Sequence, residues 1–326
     1  MPLFSGLDPQ ALVQAAQRLA AGGLVAFATE TVYGLGARAD DDRAVAGIFA
    51  AKGRPADHPL IVHVADVEAA KRFAVDFAGD ALRLASAFWP GPVTVVVRRA
   101  AGMARAAAAG QDSIALRCPA HPLALALLAR VAVLGVAGVA APSANRFGRV
   151  SPTLASHVVD EFGSDLWVLD GGACALGIES AIVDCRGDRP VLLRPGALGR
   201  ARLEATMGKS FGLPSTDSPR TPGSLQSHYA PKAALRLMSG DALQQALQVS
   251  GGPVPGLAVY SRTVPLVGAG SLAYAMPDDP MAVARELFAV LRELDSCGAR
   301  LIWVEEPPSS PDWDGVRDRL QRAAAS

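Results

Sequence analysis

At 326 residues, half of them hydrophobic, the chain exceeds what a single core usually holds, so two domains are expected. Lys plus Arg equals Asp plus Glu at 31 each, which argues against bulk charge as a basis for nucleic-acid or membrane binding and leaves any anionic ligand to local cations. The four cysteines (Cys118, Cys174, Cys185, Cys297) are widely spaced without a C-x-x-C pair, which argues against a zinc site or a disulfide framework and fits a reducing cytoplasm.

In chain order, Asp8-Pro9 caps a helix that ends near Gly22-Gly23, with no cationic-then-apolar leader before it, and "LVAFAT" follows as a buried strand. "DDRAVAGIFAAKG" reads as a short amphipathic helix, "HPLIVHVAD" as a strand, and "VEAAKRFAVDFAGDALRLASAFW" as one or two helices. "GPVTVVVRR" and "SIALRCP" are strands. The most membrane-like stretch, residues 123 to 141, is interrupted by Arg130 and turns from Leu/Ala-rich to Val/Gly-rich, which predicts a helix followed by a buried strand, not a span. "DLWVLDGG", "SAIVDC" and "PVLLRPG" add short strands. Strands outnumber helices here without strict alternation, so residues 1–203 are predicted to form an α/β domain with a twisted mixed sheet. Residues 204–232, dense in Pro, Ser, Gly and Thr, read as a linker, and that length fits either an active-site lid or a disordered segment. Residues 233–326 alternate "AALRLM", "GLAVYSR", "LAYAM" and "RLIWVEE" with helical "DALQQALQV", "PMAVARELFAVLRELDSCG" and "DWDGVRDRLQRAAA", which predicts a small Rossmann-like three-layer domain. It has no G-x-G-x-x-G, so nothing asks for a dinucleotide.

Chemistry concentrates in four stretches. "ATETVYGLG" (28–36) carries Thr29, Glu30, Thr31 and Tyr33 where a core strand would be more apolar, so polar groups are expected at a strand end. "KGRPADHPLIVH" sets Lys52 and Arg54 one residue apart in a Pro-stiffened segment, either a polyphosphate clamp or a solvated basic turn. "SIALRCPAHP" places Ser113 and Arg117 in an apolar strand, where an arginine needs a carboxylate or phosphate partner, in a ligand or in a structural salt bridge. "APSANRFGRVSPT" ends a Val/Ala/Gly strand in Ser143, Asn145, Gly148 and Ser151, a composition suited to an anion site and equally to a turn.

Taken together, T-E-T-V-Y-G-L-G, K-x-R-P, R-x-P-x-H-P, S-A-N and G-x-E-S, in that order, resemble the YrdC/Sua5 family, the threonylcarbamoyl-AMP synthases of tRNA modification. The likeness covers residues 10 to 200 and continues through "HYAP" (His228 to Pro231) and the small C-terminal domain, as in the long Sua5 type. It implies a nucleotidyltransferase joining L-threonine, bicarbonate or CO2 and ATP into threonylcarbamoyl-AMP and pyrophosphate. Threonine would meet Thr31, His63, Arg117, Ala141 and Ser180, with the Arg117 guanidinium on its carboxylate. ATP would meet Lys52, Arg54, His58, Ser113, Ser143, Asn145, Ser151 and Arg194, with Tyr229 closing over it, and Lys52 and Arg54 would carry the catalysis. The resemblance further implies Mg2+ arriving with ATP, tRNA and a threonylcarbamoyl-transferase complex as downstream partners, no membrane, and a cytoplasmic location.

The chain departs from the family pattern in places. Ala28 stands where Pro commonly precedes T-E-T, Ala181 where Thr is common, and His58 where Asn is frequent; the linker lacks the Met and first Tyr often seen before H-Y-A-P. Two rival readings are an RNA-binding module without synthase activity, weakened by the near balance of charge in the first 200 residues, and a carbamoyl-adenylate-forming relative, which should carry acylphosphatase and zinc-finger segments. Glu30 has no assigned role at this level.

Overall fold

The computed structural model describes residues 3–6, 8–223, 228–266 and 272–325, and divides into two compact units: residues 1–147 with 151–224, and residues 148–150 with 225–326. Residues 224–227 of the expected linker lie outside the described residues.

The first unit runs β1 (Leu3–Ser5), α1 (Pro9–Ala20), β2 (Val25–Phe27), β3 (Gly34–Arg38), α2 (Asp42–Lys52), β4 (Ile61–His63), α3 (Val67–Lys71), α4 (Gly79–Phe88), β5 (Val93–Arg98), β6 (Ser113–Arg117), α5 (Pro122–Val133), β7 (Val139–Ala140), α6 (Ala155–Phe162), β8 (Trp167–Asp170), β9 (Ala181–Asp184), β10 (Val191–Arg194) and α7 (Arg200–Met207). Helix α1 starts where the Asp8 side chain accepts the Gln10 N–H at 2.9 Å. Helix α2 stops at Gly53, whose φ of 62° is a left-handed cap that costs a residue without Cβ little. The described strands form one mixed sheet in the order β1-β8-β2-β3-β7-β4-β6-β5-β9-β10.

Side chains alternate across a strand, and here the alternation separates core from site. Val62 of β4, Ile114 and Leu116 of β6, Val93, Val95 and Val97 of β5, and Ala181 and Val183 of β9 enter the main core. The intervening Ile61, Ala115, Val96 and Ile182 form a separate small apolar patch. His63, Ser113, Arg117, Thr94 and Ser180 alternate with the core residues in the same way, and so share the face of that patch. Parallel pairing of β4 with β6 sets His63 beside Arg117.

Four elements had no counterpart in the sequence reading: β1, β3, α6 and α7. Helix α7 lies across the expected boundary at residue 204; it is polar overall, but Leu203 and Met207 are buried, and with Phe211 they join the main core. The segment 123 to 141 divides into α5 and β7 as predicted, and no described helix is long and apolar enough to cross a membrane.

The second unit contains β11 (Ala234–Met238), α8 (Gly240–Ser250), β12 (Leu257–Ser261), β13 (Ala273–Ala275), α9 (Pro280–Ser296), β14 (Leu301–Glu305) and α10 (Asp314–Ala324). Its strands are all parallel, in the order β11-β14-β12-β13. Leu243 of α8 packs with Leu257, Val259 and Trp303 on one face, whereas Tyr260 points to the other and donates to Glu286 of α9 at 2.9 Å. Helices thus cover both faces, giving the three layers expected of a Rossmann-like unit. Residues 148–150 belong here because Ala230 N–H donates to the Gly148 carbonyl at 2.9 Å and Arg292 Nη2 donates to the Val150 carbonyl.

Candidate functional site

The segment after β2 explains its own polarity. Thr29 Oγ1 donates to the Val32 carbonyl at 2.6 Å and accepts the Thr31 and Val32 N–H groups at 3.2 Å each, a side-chain turn that replaces strand pairing locally. The Tyr33 hydroxyl lies 3.0 Å from Asp170 Oδ1 and 2.8 Å from the Gly172 carbonyl, and burial followed by the Asp170 charge pushes its pKa up. Two of the three hydroxyls are therefore structural. Thr31 is the one aimed at a charge: its Oγ1 accepts from Arg117 Nη1 at 2.9 Å. The Gly-x-Gly that follows lies within β3, where a Cβ on Gly36 would come 2.8 Å from the side chains of both Phe27 and Val139. Close packing, not a phosphate loop, accounts for that glycine.

Arg117 is 3% exposed. Its Nε donates to the Gly91 carbonyl at 3.1 Å, and its Nη2 forms an ion pair with Glu30 Oε1 at 2.6 Å. A buried arginine in an apolar strand is thus held by one carboxylate, one hydroxyl and one carbonyl. His63, beside it in register, is likewise buried; desolvation first and the Arg117 charge second lower its pKa to about 3, so the imidazole is neutral at neutral pH. Ser180 Oγ lies 2.8 Å from Thr94 Oγ1, and Arg194 Nε and Nη2 donate to the Ser180 carbonyl at 3.1 and 3.0 Å. The chain approaches itself closely here: a Cβ on Gly196 would lie 2.3 Å from the Ala181 nitrogen. Ala141, buried, donates its N–H to the Ile61 carbonyl at 2.9 Å, which ties β7 to β4.

The expected phosphate side divides in two. Lys52 Nζ donates to the Ser143 carbonyl at 2.6 Å and to the Asn145 carbonyl, so the last residue of α2 fastens the S-A-N turn. Burial, then repulsion from Arg54, pushes the Lys52 pKa well below its ordinary range. Arg54, beyond the left-handed Gly53, turns elsewhere: its Nη2 donates to the Pro59 carbonyl at 2.9 Å and its guanidinium lies 5.6 Å from the Phe147 ring. His58 meets the same ring edge-on at 5.3 Å, and burial followed by the Arg54 charge lowers its pKa. Ser113 is buried at the start of β6. Ser151 Oγ donates to Glu179 Oε1 at 2.5 Å, one residue before Ser180.

The structure therefore gathers Thr31, His63, Arg117 and Glu30, links Ser180 with Thr94 and Arg194, and links Lys52 with Ser143 and Asn145. Tyr229 lies in the second unit, 1% exposed, stacked 5.5 Å from Phe288 with the Arg319 guanidinium 5.4 Å from its ring, at a φ of 62°. Sequence reasoning missed Thr94 and Glu179. A lone Thr in the Val run of "GPVTVVVRR" and the acid of G-x-E-S were the available signals. The thiols of Cys118 and Cys174 are pushed up to about 11 and about 12 by burial, with Glu30 among the charges adding to it, so neither is a nucleophile at neutral pH.

Comparison with known proteins shows the family. A model of the Sua5/YciO/YrdC family, described as telomere recombination, matches residues 17–196, and a threonylcarbamoyl-AMP synthase C-terminal domain matches residues 197–325. The threonylcarbamoyl-AMP synthase of Pyrococcus abyssi is 38% identical over 315 residues, covering 93% of this chain and 91% of the relative. That of Bacillus subtilis is 37% identical over 331 residues, covering 97% and 93%. A crystal structure of P. abyssi Sua5 complexed with L-threonine is similar with a TM-score of 0.86 at 35% identity, covering 96% of this chain and 94% of that one.

Proposed function

This chain belongs to the Sua5 type of the YrdC family of threonylcarbamoyl-AMP synthases, and we propose that it condenses L-threonine, bicarbonate and ATP into threonylcarbamoyl-AMP and pyrophosphate on the sheet face that carries Arg117. The observation that carries the reading is the buried Arg117 guanidinium, held by Thr31 and Glu30 and flanked by neutral His63. Such a group can take a small carboxylate in bidentate fashion, and a similar structure, that of P. abyssi Sua5, is complexed with L-threonine.

Threonine's ammonium releases one proton to solvent, and the free amine adds to CO2, which is bicarbonate less hydroxide. The second N–H proton leaves with that hydroxide as water, and an oxygen of the resulting carbamate attacks the α-phosphorus of ATP, so that the bond to the β-phosphate oxygen breaks and pyrophosphate leaves. Both reactants are anionic, so the protein's task is to position them and offset charge. Arg54 supplies a fixed guanidinium, braced by Pro59 and Phe147. Lys52 uses two of its three ammonium hydrogens to shape the Ser143–Asn145 turn and presents the third to phosphate. An arriving phosphate charge favours the protonated amine that burial disfavours. Arg194 acts through Ser180, whose carbonyl it holds. Among the described residues no three His, Cys, Asp or Glu side chains gather into a metal site, so Mg2+ would come with ATP, held by phosphate oxygens whose charge it would offset.

The product is an activated acyl-adenylate for the t6A modification of tRNA, handed to a transferase complex. All four cysteines are free, which supports a cytoplasmic location. The test is incorporation of radiolabelled bicarbonate with ATP, with and without threonine. Threonine-dependent label in an adenylate, with matching pyrophosphate release, is expected. Label without threonine would assign a carbamoyl-adenylate activity instead, and no label at all would leave a binding module.

A further inference from the structure

We propose that Glu30 is the acceptor for the ammonium group of threonine, making it a second charged determinant of specificity beside Arg117. The inference deepens the threonine reading above and rests on it.

Threonine enters as a zwitterion, and a pocket that offers only Arg117 would welcome the carboxylate while holding the ammonium against a like charge in a partly dehydrated space. A matching anion is therefore required within reach of the guanidinium. Glu30 sits there: it is 8% exposed and its Oε1 is 2.6 Å from Arg117 Nη2. Neutral His63 cannot supply the charge. Glu179, the acid one residue before Ser180, is already taken as the acceptor of the Ser151 hydroxyl at 2.5 Å.

The second observation is what Glu30 lacks. Both of its oxygens are buried and neither accepts a hydrogen bond among the described residues; the ion pair of Oε1 with Arg117 is its described charge contact. A structural carboxylate at this depth normally collects donors, because an unmet buried acceptor is costly. Arg117 is complementary in this respect. Of its five donor hydrogens, Gly91 and Thr31 accept two, from Nε and Nη1, while Nη2 meets Glu30 Oε1 as an ion pair and makes no hydrogen bond among the described residues. Both terminal nitrogens thus keep donor hydrogens for a ligand carboxylate. A zwitterion placed across the pair completes an alternating array in which its carboxylate lies on Arg117 and its ammonium on Glu30. Thr29, Thr31 and Val32 fix the turn that carries Glu30, so the acid is presented by a rigid segment.

The test uses the full chain with calorimetric titration of two probes, L-threonine and 3-hydroxybutyrate, which keeps the carboxylate and hydroxyl and lacks the ammonium. Wild type is expected to prefer threonine on the order of tenfold to a hundredfold, the worth of charge-assisted hydrogen bonds. Glu30→Gln, nearly isosteric, should lose that preference: threonine affinity falls by the same factor, while 3-hydroxybutyrate and ATP change by less than about threefold. An equal loss for both carboxylates would overturn the proposal, because a residue that only orients Arg117 serves both alike. Should Glu30→Gln not fold, Glu30→Asp decides on the same criterion, since a shortened acid must weaken threonine selectively. Wild type binding the two probes equally well would also overturn it, without any variant. Wild type binding neither would defeat the threonine reading itself.

Discussion

Glu30 in the first unit and Glu305 in the second are both buried, and they are treated in opposite ways. Glu305, at the end of β14, accepts from Ser261 Oγ at 2.6 Å, Arg262 N at 2.8 Å, Thr263 N at 2.7 Å and Thr263 Oγ1 at 2.5 Å. Burial alone would raise its pKa; these donors overcome that and hold it down at about 2. Glu30 has one ion pair, and neither of its oxygens accepts a hydrogen bond among the described residues. A saturated carboxylate stabilises the fold it belongs to, whereas an unsaturated one beside a cation marks a place where stability is given up for binding.

The largest expected effect tests where the first unit ends. Leu203, Met207 and Phe211 are buried in its core, so a protein truncated after Gly199 loses three apolar anchors at about 2 to 5 kcal/mol each and should not fold. Ending after Gly223 keeps them, together with the Pro222 carbonyl that accepts from Arg194 at 2.9 Å. Circular dichroism and thermal unfolding of both truncations check this. A cooperative transition for the shorter protein would place the unit's boundary earlier.

Next in size, Glu305→Ala should cost about 3 to 5 kcal/mol by leaving its donors buried and unmatched. Denaturant unfolding measures the loss. Threonine and ATP affinities of the folded fraction should stay at the wild-type level, which is the contrast with Glu30.

Arg117→Lys and Arg54→Ala should each cost about 1.5 to 3 kcal/mol, roughly tenfold to a hundredfold, through different substrates. An ammonium cannot reproduce the planar fork, so Arg117→Lys weakens threonine use more than ATP binding. Arg54→Ala slows ATP-dependent pyrophosphate release. Equal losses for both substrates in Arg117→Lys would assign it a purely structural bridge.

A separate effect is in pH. His63 has a folded pKa near 3 against an ordinary value of 6.5, so between these limits the unfolded chain binds the extra proton. Stability should therefore rise with pH across that window and be lost as pH falls towards 3, with a slope approaching about 1.4 kcal/mol per unit from this group. Glu305 adds loss of the same sign below about 4.5. A variant His63→Gln should flatten the limb between pH 4.5 and 6.5 specifically, as urea unfolding at several pH values would read.

Much of the fold could be read along the chain because its signals are local. Asp8 before Pro9, Gly53 after α2, and the Val-rich runs of β5 and β6 depend on neighbours a few residues away. Helix α6 escaped because Leu154 provides no side-chain cap, and α7 because two buried residues in eight give little periodicity. Motif order was likewise local information, and it was enough to identify the family. What holds Lys52 and Arg54 in place was not: with a left-handed glycine between them, one donates to the Ser143 and Asn145 carbonyls and the other to the Pro59 carbonyl.

The sequence by itself determined the two domains, most strands and helices, and which polar residues are too costly to be filler in apolar strands. Tertiary structure alone decided their partners. Thr31 meets Arg117 across 86 positions and Thr94 meets Ser180 across another 86, separations at which no local pattern carries information. Only the pairing of β4, β6, β5 and β9 turns alternate residues of four distant segments onto one face, and burial on that face makes Glu30 and Arg117 mean more than their letters.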